Sequence, residues 1–117
     1  MSTESDLVEL LQGVCPRVYP DVAPAGATNP YIVWQGLGGN TLRFLDNTPA
    51  SLRHGYLQIS VYSTTRAQSL ALIRQAEDAL CASGLFTAGP MGEPISTYED
   101  DTKLFGSIQR FSVWGAR

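Results

Sequence analysis

Apolar residues recur at Leu7, Val8, Leu10, Leu11 and Val14, a spacing that lays one apolar stripe along a helix. Thr3 and Asp6 form a variant capping box ahead of the stripe, and Gly13 is placed to stop it. The pattern predicts a first helix over residues 4–12. It then changes character. The stretch Val18-Tyr19-Pro20-Asp21-Val22-Ala23-Pro24, followed by Asn29-Pro30, is stiffened by prolines, each of which fixes φ and pushes its predecessor into extended geometry. Tyr19, Ala23 and Asn29 are therefore biased against helix. A short extended piece is expected at 17–19. The run Tyr31-Ile32-Val33-Trp34 reads as a strand whose start is pinned by Pro30.

Residues 54–63 alternate, with Leu57, Ile59 and Val61 on one face and Tyr56, Gln58, Ser60 and Tyr62 on the other. Thr65-x-x-Gln68 is a capping box. It opens a second predicted helix over residues 65–83, with Ala67, Leu70, Ile73, Ala76, Leu80 and Cys81 as its buried stripe. Residues 85–94, rich in Gly and Pro, read as a loop. A short strand at 95–99 and a long one at 103–114, joined by a turn at Asp100-Asp101-Thr102, make a hairpin. In the long strand Phe105, Phe111 and Val113 share one face. Leu104, Ile108, Arg110 and Trp114 share the other, the mark of a central strand or of a second covered face. The expected fold is α+β, in the order α-β-β-α-β-β. A mainly antiparallel four-stranded sheet carries two helices on one face.

The chain has 117 residues, enough for a single domain spanning 1–117 with one core. The formal net charge is −3, which argues against sequence-independent binding of nucleic acid, since that needs a surplus of Lys and Arg. No window reaches the roughly 18 apolar residues of a membrane span. The acidic start Met1-Ser2-Thr3-Glu4-Ser5-Asp6 is not that of a signal peptide, so synthesis and assembly in a reducing cytoplasm are expected. Cys15 and Cys81, each near a predicted helix end, read as free thiols that pack as small apolar groups.

The chemistry-bearing residues do not assemble into a catalytic set. Gly36-x-Gly38-Gly39 follows a strand, but it lacks the spacing and the following helix of a phosphate loop, and reads as a hairpin tip. Glu99-Asp100-Asp101 is a run of carboxylates whose neighbours point to opposite faces. It reads as a solvated tip, or, in a ring, as an acidic channel lining. His54, the single histidine, is expected exposed at a strand start, and no zinc ligand set or Ser-His-Asp arrangement forms around it. An enzyme built on Asp21, Asp46 or Glu99–Asp101 has no acid/base partner set. No cofactor or metal is implied. An alternative reading, a binding module, would need a pocket lined by Trp34, Tyr56, Tyr62 and Trp114.

One region stands apart. Residues 37–53 join two strands that a tight turn would join, and loops longer than about 12–15 residues are often functional. The segment carries Leu42, Phe44 and Leu45 beside Arg43 and Arg53. It is expected either to extend a strand or to dock on another subunit, which makes these five residues the candidate subunit interface.

Four pieces of the chain resemble phage tail-completion proteins, the small tail-terminator or tail-to-head joining subunits. They are Arg17–Pro24 with Pro30–Gln35, the turn Phe44-Leu45-Asp46-Asn47, the strand Leu57-Gln58-Ile59-Ser60-Val61-Tyr62, and the ending Arg110-Phe111-Ser112-Val113-Trp114. The family often has Leu-Asp-Gly in the second piece. Asn47 replaces the glycine, and Asn also tolerates left-handed backbone. The resemblance implies a ring, often six-fold, that stops growth of the tail tube and offers a surface to the head connector. Its partners would be copies of itself, the tail-tube protein and the head connector protein. The source would be a phage or a prophage. A ring closed by head-to-tail contacts needs two different patches on each subunit. Candidates are the 37–53 segment on one side and a strand edge or the 85–94 loop on the other.

Overall fold

The computed structural model describes residues 3–38, 52–84 and 86–116. Two helices and six strands follow one another: α1 (Thr3–Gln12), β1 (Val18–Pro20), β2 (Tyr31–Gly36), β3 (Leu52–Ser63), α2 (Arg66–Ala82), β4 (Thr87–Pro90), β5 (Ile95–Glu99) and β6 (Leu104–Ala116). The class is α+β. The expected four-stranded antiparallel sheet is corrected to a six-stranded mixed one, in the order β1-β2-β3-β6-β4 with β5 also on β6.

Two additions account for the difference. The extended piece before Pro20 is a true strand, parallel to β2, with Val18 opposite Ile32 and Pro20 opposite Trp34. The segment expected to be a loop at 85–94 contains β4, which runs antiparallel to β6 with Thr87 opposite Trp114. Strands β4 and β5 share one edge of β6: β4 covers residues 111–114 and β5 covers residues 104–108. Between them residues 91–94 bulge outward, with Gly92 at φ +134°, a backbone that side-chain-bearing residues rarely adopt. With β3 on its other side over twelve paired residues, β6 is the central strand that its two apolar faces imply.

The helices cover one face of the sheet. Leu7 and Leu11 of α1 and Ile73, Ala76 and Leu80 of α2 pack with Ile32, Leu57, Ile59, Val61, Phe111 and Val113. Phe86, just before β4, joins the same core. The α2 stripe is rotated from the expected one: Ser69 is buried, whereas Ala67 and Cys81 are exposed. Ser69 is accommodated because its hydroxyl lies 3.2 Å from that of Ser107 on β6, so two buried polar groups satisfy each other. Thr65 caps the helix, its side chain accepting from the Gln68 amide, which satisfies one of the donors a helix start leaves unpaired. In the same seam Gln109 of β6 donates to Glu77 of α2 at 2.6 Å and to the Gly92 carbonyl at 2.9 Å. That side chain ties the helix, the central strand and the bulge together.

The β2–β3 ladder runs further than the glycines of 36–39 suggest. The Leu37 amide donates to the Tyr56 carbonyl, and the Tyr56 amide donates to the Gly38 carbonyl. Two residues thus oppose one, the arrangement of a β-bulge, with Gly38 at φ +86° supplying the turn.

Candidate functional site

Alternation along the strands fixes what the helix-free face carries. On β2 the side chains of Ile32 and Trp34 turn to the core, which sends Tyr31, Val33 and Gln35 to the other face. On β3, Tyr56, Gln58, Ser60 and Tyr62 follow them. On β6, Leu104, Gly106, Ile108, Arg110, Ser112 and Trp114 do so. At one end of this face the proline-rich segment between β1 and β2 folds back over the sheet. It is shaped by a turn from Pro24 to Ala27, closed by the Ala27 amide on the Pro24 carbonyl at 3.1 Å. Gly26 sits at φ +75°, the positive value that the third position of a type II turn requires. The Arg17 Nε donates to the Pro30 carbonyl at 2.9 Å and anchors the far end of the segment.

Between this segment and the sheet lies a cleft of about 440 Å³, whose walls include Ala23–Ala27, Tyr31, Val33, Tyr62, Glu99 and Leu104. Its floor depends on Gly106. That residue pairs with Tyr62 on one side and Thr97 on the other. A Cβ at this position would lie 2.7 Å from the Thr97 hydroxyl and 2.9 Å from the Tyr62 ring. The Tyr62 ring therefore lies across the glycine, and its centroid is 5.4 Å from that of Tyr31, which in turn meets Tyr19 edge-on at 6.0 Å. Burial pushes the phenols of Tyr31 and Tyr62 above their ordinary range, and the Glu99 carboxylate adds to the rise in both.

The acidic run at the hairpin divides. Glu99, opposite Leu104 at the end of β5, is half-buried and belongs to the cleft. It accepts from the Thr102 hydroxyl at 3.0 Å. Asp100 and Asp101 are exposed in the turn. Leu42, Arg43, Phe44 and Leu45 lie outside the described residues. The backbone of Arg53 is in β3 opposite Gly115.

The four aromatics proposed to line one pocket do not converge, which corrects that expectation. Trp34 packs against the core on the helix side. Tyr62 belongs to the cleft, and Tyr56 and Trp114 flank His54 at the opposite end of the face, with ring centroids 4.7 and 4.6 Å from it. His54 is not the exposed strand-end residue expected. It is half-buried, and its Nε2 lies 2.8 Å from the Ser112 hydroxyl. Among the described residues no group of three or more His, Cys, Asp or Glu is placed to hold a metal ion. Cys15 is buried and Cys81 exposed. Slight desolvation, then the Glu77 and Asp78 carboxylates nearby, push the Cys81 thiol up although the residue is exposed.

Sequence reasoning missed the roles of Val33, Leu104 and the 23–27 wall. The alternation of Tyr31 with Val33 carried the signal for the sheet side. The return of the proline-rich segment over the face is a tertiary contact with no local signature.

The described residues also leave apolar side chains exposed at both sheet edges. Val22 follows β1 and is 76% exposed. Met91, Ile95 and Tyr98, on the β4–β5 edge, are 55%, 66% and 48% exposed. No helix among the described residues is long and apolar enough to cross a membrane. No curated protein matches the chain. A family model described as "Tail completion protein gp17" matches residues 1–115, which span both helices and all the strands up to the last residue of β6, and the chain belongs to this phage tail-completion family.

Proposed function

We propose that this chain caps the head-proximal end of a phage or prophage tail tube as a ring, six-fold in the form to be tested, and joins the tail to the head. The observation that carries the reading is the family match over nearly the whole chain. Exposed apolar residues on the β4–β5 edge support one of the two unlike patches that a head-to-tail ring needs on each subunit. One proposed contact surface is formed by Leu42, Arg43, Phe44, Leu45 and Arg53, and the other by the β4–β5 edge. Asp100 and Asp101 are the proposed acidic lining of the ring channel, where like charge would keep DNA from adhering. Glu99 is turned toward the cleft instead. The ring would assemble in the host cytoplasm on the tail-tube protein and then meet the head connector protein.

The family is a structural one rather than an enzyme class, and the reading assigns no turnover. Electron microscopy of particles made without this protein provides the test. Overlong or headless tails, rescued by supplying the protein, are expected. Tails of normal length attached to heads would overturn the reading.

A further inference from the structure

Gln109 is 2% exposed on the central strand, and both hydrogens of its side-chain amide are committed. One goes to the Glu77 carboxylate of α2 at 2.6 Å, the other to the Gly92 carbonyl at 2.9 Å. Carboxylate and carbonyl only accept, so the amide nitrogen has to face them. The amide oxygen is then left buried with no hydrogen-bond partner. A buried acceptor without a donor costs stability, which an apolar side chain at this position would avoid. The polar residue is therefore explained by what it holds, the bulge between β4 and β5. The Met91 amide bonds the Arg110 carbonyl at 2.9 Å, Gly92 is held by Gln109, and Glu93 meets Arg74 at 3.9 Å. The last contact joins two exposed side chains and adds little. Gly92 sits at φ +134°, and a Cβ there would meet nothing within 4 Å. No packing on that side fixes the bulge, so the hydrogen bond from Gln109 does.

We propose that Gln109 is a positioning residue for the contact between subunits. It couples α2 to the 91–94 bulge and so fixes Met91, at the start of the bulge, and Ile95, just past its end, in the arrangement that a second copy of this chain meets. The proposal rests on the ring reading above. Charge complementarity commits the occupant to a second copy. Glu93 stands exposed between Met91 and Ile95, and the other surface proposed for the ring, Leu42–Leu45 with Arg53, carries two arginines and no acid. A segment already held in its bound shape loses less freedom on association, so the tether acts on affinity. It does so from a side chain that is itself buried and touches no partner.

Gln109→Met removes the tether and keeps the core apolar. Three readouts on the whole chain are compared. Hydrogen exchange of the Met91 amide reports the bulge in the lone subunit, thermal unfolding reports the fold, and sedimentation velocity over a concentration series reports association. Gln109→Met should exchange Met91 at least tenfold faster and associate at least tenfold more weakly. Ile73→Val, a core change in α2 away from the bulge, should lower the unfolding temperature and change association less than twofold. Glu77→Ala sits at a half-buried helix position that alanine suits, and decides the matter even where Gln109→Met folds poorly. Both quantities should move in the same direction there, by at least threefold. Unchanged Met91 exchange would overturn the tether. Faster exchange with unaltered association, or an equal loss of association in Ile73→Val, would overturn the positioning role. Failure of the ring reading looks different. Wild-type protein that stays monomeric at every concentration, or Ile95→Lys that associates as wild type does, would remove the contact itself and the proposal with it. Association lost in Ile95→Lys but kept in Gln109→Met and Glu77→Ala would leave the contact standing and overturn the role of Gln109 alone.

Discussion

Gly106 is the residue on which the helix-free face turns. A glycine inside a strand weakens the strand unless another group needs the space, and here the Tyr62 ring and the Thr97 hydroxyl take it. Gly106→Ala should cost about 1–3 kcal/mol, the usual range for overpacking, read as a lower denaturation midpoint with an unchanged slope. The Tyr31–Tyr62 ring contact should loosen with it. The two phenols give a second outcome. Each has a folded pKa raised above its value of 10.0, chiefly by burial and next by Glu99. A raised phenol contributes stability that is fully present below the unfolded pKa and is lost as pH rises through the folded one. Stability should therefore hold up to about pH 10 and fall above it. Glu99→Gln should move the phenolate absorbance transition to lower pH while leaving it above that of an unfolded control, because burial, the larger cause, remains. The sequence carried half of this picture. Alternation placed Tyr62 on the polar face, and a mid-strand glycine signals close approach. Which ring approaches is set by a register across 44 residues of chain (Tyr62 opposite Gly106), and no local pattern contains that.

At the scale of elements, local signals and long-range pairing separate cleanly. Helix α2 begins where Thr65 caps it, so the capping pattern located it to within a residue. Thr65→Ala should cost about 1 kcal/mol, measured by thermal or chemical unfolding. Strand β6 was legible as central because it is apolar on both faces. Phe111, the largest of its fully buried side chains, shows what that position is worth: Phe111→Ala should cost about 3–5 kcal/mol. Strands β1 and β4 were not legible as sheet members. Val18–Pro20 and Thr87–Pro90 each end in proline, and Gly89 and Pro90 read locally as breakers. Both strands exist because β2 and β6 offer them unpaired edges, and proline is tolerated only at such edges. The polar contacts that rotate α2, Ser69 with Ser107 and Glu77 with Gln109, depend in the same way on which strand lies beneath the helix. A stripe drawn from hydrophobicity alone favours Ala67 over Ser69.

For the whole molecule the question is how two sheet edges are left. Edge strands present unpaired backbone groups and invite association, and the two edges here differ. On β1 the Arg17 carbonyl and the Asp21 amide bond to β2, so residues 17, 19 and 21 face inward and the backbone of Val18 and Pro20 faces outward. Pro20 has no N–H to offer there, which blunts that edge. The β4–β5 edge is longer, carries Met91, Ile95 and Tyr98 exposed, and has prolines only at positions 90 and 94. It is the edge better suited to meet another subunit. Part of this surface was already marked in the sequence through the 85–94 segment. The exposure of Ile95 was not, since strand alternation alone does not say which side of the hairpin is covered. Ile95→Lys provides the decisive comparison. The side chain is 66% exposed, so the folded subunit should change in stability by no more than about 0.5 kcal/mol. A charge set into an apolar edge contact would instead have to be desolvated on assembly. Sedimentation velocity over a concentration series should show wild-type protein forming the closed oligomer while Ile95→Lys remains smaller at every concentration. An oligomer that forms equally well with lysine at this position would move the ring contact away from the β4–β5 edge.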